Sequence, residues 1–176
     1  MALSQSTLKN NFISWMQGAE DYTTIQDSME EFCNAYEDYA MNAEDITTDP
    51  PLVVFKSAML AILNTLETTG TAEIAAQKFE DATIAFWEGA SFDLSVPPSG
   101  CSSEVSALVT TNIVPGALKA ALLSIFTNFD DNTTYESSAD SLATAFHNAT
   151  TTIIVTCIGV NSSPPPTNLT ELGPIS

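Results

Sequence analysis

Apolar residues recur at alternating spacings of three and four along the first part of the chain. The residues of this seam are Tyr22, Ile25, Met29, Phe32, Tyr36 and Tyr39. The spacing is typical of one face of a helix, so we predict helix over residues 4–42, in two pieces separated at Gly18. The aromatic side chains of the seam pack either on the rest of this chain or on another subunit.

Two later segments share the helical pattern and align with each other as copies of one unit. FKSAMLAILNTL (55–66) matches LKAALLSIFTNF (118–129) without a gap, at an offset of 63 residues. Each copy continues into a second periodic stretch, where the offset is 63 or 60 depending on whether Phe86 matches Ala149 or Phe146. This self-similarity predicts two helical hairpins related by a pseudo-two-fold axis.

Capping signals set the bounds of the first hairpin. Asp49 before two prolines predicts the start of its first helix, and Gly70 predicts the end. Thr71 caps the second helix, which Gly89 ends. The face predicted to be buried on this second helix consists of Ala75, Ala76, Phe79, Ala82, Thr83 and Phe86.

The second hairpin has weaker but similar signals. Ser102 or Ser103, followed by an acidic residue, predicts a helix start ahead of it. Pro115 begins the hairpin, and Thr133 or Thr134 caps its last helix, which runs to about residue 148.

Two segments have strand character at equivalent places in the two copies. Residues 92–96 alternate between apolar and polar, and residues 150–158 are a β-branched run. Their equivalence predicts that they pair with each other, which gives a small antiparallel ribbon between the hairpins.

Residues 161–176 have the composition of a tail, with prolines, small polar residues and three spaced apolar residues. Such a segment becomes ordered only when something holds it, so we expect it to leave the domain and lie on a neighbouring subunit. The predicted interface residues are Pro164, Pro165 and Pro166 as a stiff exit, and Leu169, Leu172 and Ile175 as apolar anchors.

Together these elements predict a mostly α fold. It has an N-terminal helical region, two pseudo-symmetric helical hairpins, a minor antiparallel β-ribbon and an extended C-terminal arm. The predicted divisions are a single helical domain over 1–160, made of 1–48, 49–98 and 112–160, and the arm over 161–176.

The charge of the chain narrows its possible partners. It has four lysines, no arginine and one histidine, and its formal net charge is −18. Direct nucleic-acid binding and adhesion to anionic membranes both need basic residues, so we expect neither. The acidic surface either keeps the protein soluble at high concentration or, alternatively, imitates nucleic acid in a monomeric acidic binding or inhibitor module.

The targeting and cysteine patterns favour a reduced, cytosolic site of assembly. The first residues have neither a basic region nor a long apolar run, so we expect no signal peptide, and we expect no membrane span. The three cysteines are Cys33, Cys101 and Cys157, an odd number without metal-type spacing. Four glycosylation-type sequons, at Asn132, Asn148, Asn161 and Asn168, are attributed to composition.

Two groups of residues could support chemistry, but each has a plainer explanation. His147 could activate Cys157, although a cysteine in an apolar strand is usually a small buried hydrophobe. Residues 130–132 with Glu136 could ligate calcium, but the EF-hand spacing fails and a turn with a helix cap explains them. We therefore predict no catalytic, cofactor or metal residues and a protein that is not an enzyme.

The paired alanine-rich hairpins, AAQKFEDATIAFWEGA and SLATAFHNATTTIIV, each lead into a strand. In this respect residues 50–160 resemble the small virion structural proteins of tailed bacteriophages. The resemblance implies a non-enzymatic head, neck or tail component, assembled in the host cytoplasm. Its implied partners are copies of itself and other structural proteins of the assembly.

Overall fold

The protein was analysed as a computed structural model that describes residues 3–43, 46–48, 52–92, 105–111, 115–128, 133–160 and 168–174. The fold is mostly α, as predicted. The helices are α1 (Gln5–Gln17), α2 (Ile25–Ala40), α3 (Leu52–Thr69), α4 (Ala72–Glu88), α5 (Ala117–Thr127) and α6 (Tyr135–Thr150), with a 3-10 turn at Gly18–Glu20. The strands are β1 (Ile46–Thr48), β2 (Ser91–Phe92), β3 (Val105–Thr111), β4 (Ile154–Val160) and β5 (Asn168–Pro174).

Threonine caps begin the second helix of each hairpin. The side chains of Thr24, Thr71 and Thr134 accept hydrogen bonds from backbone N–H groups in the first turns of α2, α4 and α6. The predicted cap at Thr71 is confirmed, and Thr134 rather than Thr133 caps the last helix. The predicted helix break at Gly18 is also confirmed, because this residue is the C-cap of α1.

The six helices form a closed ring. Each helix packs on the next in sequence, and α6 packs back on α1. The α3–α4 pair is antiparallel, because Phe55 near the start of α3 lies 5.0 Å from Phe86 near the end of α4, between ring centroids. The ring therefore consists of three hairpins, α1–α2, α3–α4 and α5–α6.

Burial follows one numbering in all three hairpins. In each hairpin, seven positions of the second helix and the residues just after it face the core. These positions are the same in all three hairpins when they are counted from the capping threonine. In α2 these are Phe32, Cys33, Ala35, Tyr36, Tyr39, Ala40 and Ala43; in α4 Phe79, Glu80, Ala82, Thr83, Phe86, Trp87 and Ala90; in α6 Leu142, Ala143, Ala145, Phe146, Ala149, Thr150 and Ile153. All are buried except Phe79 and Ala90, which are half-buried. The offset between α4 and α6 is 63 throughout, which rules out the alternative of 60.

The first helices extend this numbering. Leu8, Phe55 and Leu118 are buried, and each lies 16 residues before the capping threonine of its hairpin. A lysine follows each of them, so three of the four lysines occupy one equivalent position. The sequence comparison found two of these three equivalent hairpins and missed the first.

Aromatic side chains from all three hairpins meet inside the ring. Phe32 lies 5.7 Å from both Phe79 and Phe146, and Tyr36 lies 5.3 Å from Phe146, between ring centroids. The C-terminal half of the aromatic seam on α2 therefore packs on the rest of this chain. The other possibility, an interface with another subunit, is not available to Phe32, Tyr36 and Tyr39, because their side chains are buried here.

The strand pairing differs from the prediction. β2 pairs with β1, whereas β4 lies between β3 and β5 in a three-stranded antiparallel sheet. The predicted ribbon between residues 92–96 and 150–158 is therefore wrong for the described residues; residues 93–96 lie outside them. Each trailing strand instead pairs with the strand that precedes its own hairpin: β2 with β1 across α3–α4, and β4 with β3 across α5–α6.

Two predicted element bounds are also wrong. The helix expected to start at residue 102 or 103 is contradicted by strand β3, which begins at Val105. The sequence of β3 is rich in valine and threonine, which favour strands. The strand expected from residue 150 begins at Ile154, because Thr150 still belongs to α6, where its hydroxyl donates to the Phe146 carbonyl at 2.8 Å.

Candidate functional site

Two of the predicted interface residues, Leu169 and Leu172, lie on a strand of this chain. Residues 168–174 form β5, which pairs with β4, so Leu169 is opposite Gly159 and Leu172 is opposite Thr156. The prediction that the arm leaves its own domain is therefore wrong for these residues. Pro164, Pro165, Pro166 and Ile175 lie outside the described residues. The interface role of the six residues, with the prolines as a stiff exit and the other three as anchors, stays a prediction.

The pairing of β5 changes what truncation should do. A chain that ends at Val160 loses the backbone hydrogen bonds between β4 and β5. We expect it to be about 1–2 kcal/mol less stable, because the conformational entropy cost of ordering β5 is no longer incurred and offsets part of the loss. Denaturant unfolding followed by circular dichroism measures this difference. A chain that ends at Pro174 keeps β5 and serves as the control. Equal stability of the two truncated chains would contradict the pairing.

His147 takes part in a contact with α2. Its Nδ1 lies 2.7 Å from the hydroxyl of Tyr39, and burial lowers the pKa of His147 below its usual value. The backbone of Cys157 belongs to β4, but its side chain lies outside the described residues, so its predicted burial stays a prediction. Residues 130–132, considered above for calcium, also lie outside them.

A buried chain of hydrogen bonds joins three helices beside this contact. The indole Nε1 of Trp87 donates to the Tyr36 hydroxyl at 2.8 Å. Because the Thr150 hydroxyl donates to a backbone carbonyl, the Tyr36 hydroxyl, 2.8 Å from Thr150 Oγ1, must donate to it. Trp87 and Thr150 hold the same position in their hairpins, so Tyr36 links two equivalent residues across the ring.

Glu80 is a buried carboxylate at the junction of the second and third hairpins. Its side chain is 2% exposed, and its two oxygens accept hydrogen bonds from the backbone N–H groups of Gly116 and Lys119, each at 2.9 Å. Gly116 is the N-cap of α5, with φ of 86°, and has no side chain to cap the helix. Glu80 therefore caps α5 from another helix, and its charge complements the helix dipole.

The reactivity of Cys33 tests whether the core is closed to solvent. Its thiol is fully buried, and this burial raises its pKa to about 12. Because the thiolate is the reactive form, we expect no labelling by a disulfide reagent at pH 8 in the folded protein and rapid labelling in denaturant. A variant with both Cys101→Ser and Cys157→Ser isolates the signal of Cys33. Rapid labelling of folded protein would contradict this core.

A polar groove of about 320 Å³ lies between α1 and α2. It is lined by Asn11, Ser14, Trp15, Tyr22, Glu31, Asn34, Ala35 and Asp38. At one end, the ring of Tyr22 lies close to the backbone of Gly18, where an added Cβ would come within 2.9 Å of the Tyr22 hydroxyl. Burial, and then the nearby charges of Glu31 and Asp21, raise the pKa of Tyr22, so two carboxylates lie near this end of the groove.

The second hairpin has a groove in the same place. It measures about 210 Å³ and lies between α3 and α4. It is lined by Ala58, Ala61, Lys78, Asp81, Ala82 and Ala85, each of them 47 residues after a lining residue of the first groove. Four of its six lining residues are alanine, whereas the first groove has one.

The polar groove was missed by the sequence analysis. Its polar residues on α2 are Glu31, Asn34 and Asp38, which recur at spacings of three and four on the side of the helix away from the aromatic seam. That spacing is a detectable signal for one helical face. It could not be told from an ordinary solvated face without knowing that α1 packs beside it.

Within the described ranges, no helix has the length and apolar character needed to cross a membrane, and no cluster of side chains suits a metal ion. No known protein family, curated protein or solved structure matches this chain.

Proposed function

We propose that this protein is a non-enzymatic structural subunit of a larger assembly, of the kind found in the head, neck or tail of a phage virion, and that it is built from three copies of one helical hairpin. The observation that carries the proposal is a closed helical ring that bears a three-stranded sheet with β3 and β5 at its edges. Edge strands are ready templates for pairing with other chains.

The interior of the ring supports a scaffold role. Aromatic side chains from three hairpins pack together, and among the described residues every buried side-chain nitrogen and oxygen has a hydrogen-bond partner. A core satisfied in this way specifies one arrangement of its helices. Such a rigid body can hold its sheet edges at fixed positions for neighbouring subunits.

The sheet supplies the contact in this proposal. β4 is central, so a partner strand would add to β3 or to β5. Partners would be copies of this chain and other structural proteins of the assembly. Virion assembly in the host cytoplasm follows from the phage resemblance of the hairpins and remains part of the proposal.

Light scattering after size-exclusion chromatography tests the proposal. We expect the full chain to form a defined multimer whose population rises with concentration, and the chain that ends at Val160 to form this multimer in a different population, because the loss of β5 makes β4 the edge of the sheet in its place. Circular dichroism of the truncated chain checks that its helices remain. A full chain that stays monomeric at all concentrations would overturn the proposal and favour the acidic binding or inhibitor module.

A further inference from the structure

We propose that the groove between α1 and α2 is a binding site for an arginine side chain of a different protein. The guanidinium would lie against Glu31 and Asn34, beside Trp15 and Tyr22, and Asp38 would add to the negative potential two turns further along α2. The inference does not depend on the assembly role, because an acidic binding module could use the same site.

The lining of the groove offers mainly acceptors. The Trp15 indole N–H donates to the Ser28 carbonyl at 2.8 Å, and the Tyr22 hydroxyl donates to the Trp15 carbonyl at 3.1 Å. The Ser14 hydroxyl also donates to a backbone carbonyl, at 3.1 Å. These three donors are therefore already used within the protein.

The carboxamides are engaged through their nitrogens as well. Asn11 Nδ2 donates to the Ala35 carbonyl at 3.0 Å, and Asn34 Nδ2 donates to Glu31 Oε1 at 3.3 Å. Each of these nitrogens has one further N–H, while the two Oδ1 atoms and the oxygens of the two carboxylates are acceptors and outnumber these donors. A ligand that matches this lining must bring several donors and a positive charge.

The aromatic walls favour a guanidinium over an ammonium. Trp15 and Tyr22 line the groove beside the polar residues. A guanidinium is planar, stacks on aromatic faces and presents a rigid fork of N–H donors to a carboxylate, whereas an ammonium is a compact, strongly hydrated charge. The combination of aromatic rings and carboxylates in one lining therefore suits arginine better than lysine.

The second hairpin shows that packing does not require this lining. Asn11 corresponds to Ala58, Ser14 to Ala61 and Asp38 to Ala85 in a groove that has the same place in its hairpin. Alanine is therefore compatible with the backbone arrangement at these positions. The polar residues of the first groove are additions to a common scaffold.

The chain itself cannot supply the ligand. It contains four lysines and no arginine, so another copy of this protein has no guanidinium to offer. A net charge of −18 would attract a basic partner and increase its rate of association. The partner is therefore a different protein with an exposed arginine.

Titration of the full-length protein with small probes, followed by 15N–1H correlation spectra, tests this proposal. The probes are arginine with both termini capped, capped lysine, capped citrulline as the neutral isostere of arginine, and free arginine. We expect capped arginine to shift the Trp15 indole resonance and the side-chain amide resonances of Asn11 and Asn34. Capped citrulline should shift none of them, and capped lysine should bind more weakly.

Matched variants locate the site. Glu31→Gln should weaken the binding of capped arginine about tenfold, since one charge-assisted contact is lost, and Asp38→Asn should weaken it less. Asp81→Asn removes one carboxylate charge from the groove of the second hairpin, and it should change the affinity less than about twofold because it leaves the contact with Glu31 intact. Correlation spectra of each variant confirm that it is folded.

Four results would overturn the proposal. They are equal shifts with citrulline, equal affinity for lysine, unchanged affinity in Glu31→Gln, and binding of free arginine without binding of the capped form. The last would indicate a site for the amino acid rather than for a protein side chain. None of these results bears on the multimer test above, so the two proposals fail separately.

Discussion

Replacing Glu80 with alanine should destabilise the protein by about 3–5 kcal/mol, because two hydrogen bonds to a buried charged group are lost, each worth about 1.5–3 kcal/mol. The Gly116 and Lys119 N–H groups at the start of α5 would lose their acceptors. No side chain at the glycine N-cap can replace them. Urea unfolding followed by circular dichroism measures the loss.

Glu73 provides the control for this prediction. It also contacts Lys119, but through an ion pair of 3.2 Å between side chains, and the Glu73 side chain is 67% exposed. Exposed ion pairs contribute about 0–1 kcal/mol, so Glu73→Ala should have little effect. If the two substitutions cost the same, the capping role of Glu80 is wrong.

Removing the hydroxyl of Tyr36 should also have a large effect. In Tyr36→Phe the Trp87 indole loses its acceptor and Thr150 loses its donor in a fully buried site. The expected cost is about 1–3 kcal/mol, because a buried polar group that loses its partner keeps its desolvation penalty. Thermal and denaturant unfolding both report this change.

A double-mutant cycle separates the hydrogen bond from packing. Trp87→Phe combined with Tyr36→Phe should cost less than the sum of the single changes, with a coupling energy of about 1–2 kcal/mol. Tyr22→Phe is the comparison, since the Tyr22 hydroxyl donates to a backbone carbonyl near the surface. Additive costs of Tyr36→Phe and Trp87→Phe would show that no coupling passes through this bond.

The sequence was sufficient for the helices because their signals are local. The spacing of Phe32, Tyr36 and Tyr39 predicted a buried face on α2, and the threonine and glycine caps predicted the bounds of α4. Capping and periodicity act over a few residues, so they can be recognised without knowing the fold. The equivalence of the first hairpin was missed, because its capping threonine lies 47 residues before that of the second hairpin, whereas the second and third are 63 residues apart.

Other features depend on contacts between distant residues. A glutamate among the alanines of α4 has no local sign of burial, since its partners are backbone groups 36 and 39 residues away. The pairing of β4 was equally hidden, because β-branched composition predicts a strand without naming its neighbour. The groove required knowledge of which helix packs beside α2, and it belongs to this group as well.

The closure of α6 on α1 has a consequence for synthesis on the ribosome. Gln5 bonds to Thr144 across 139 residues of chain, and Lys9 pairs with Asp140. The apolar side of α1 has only α2 to pack on at first, where Phe12 stacks on Phe32, and the contact of Phe12 with Phe146 on α6 forms only when most of the chain has emerged. The nascent protein therefore carries a partly uncovered aromatic surface through most of translation, when chaperones or premature association could capture it.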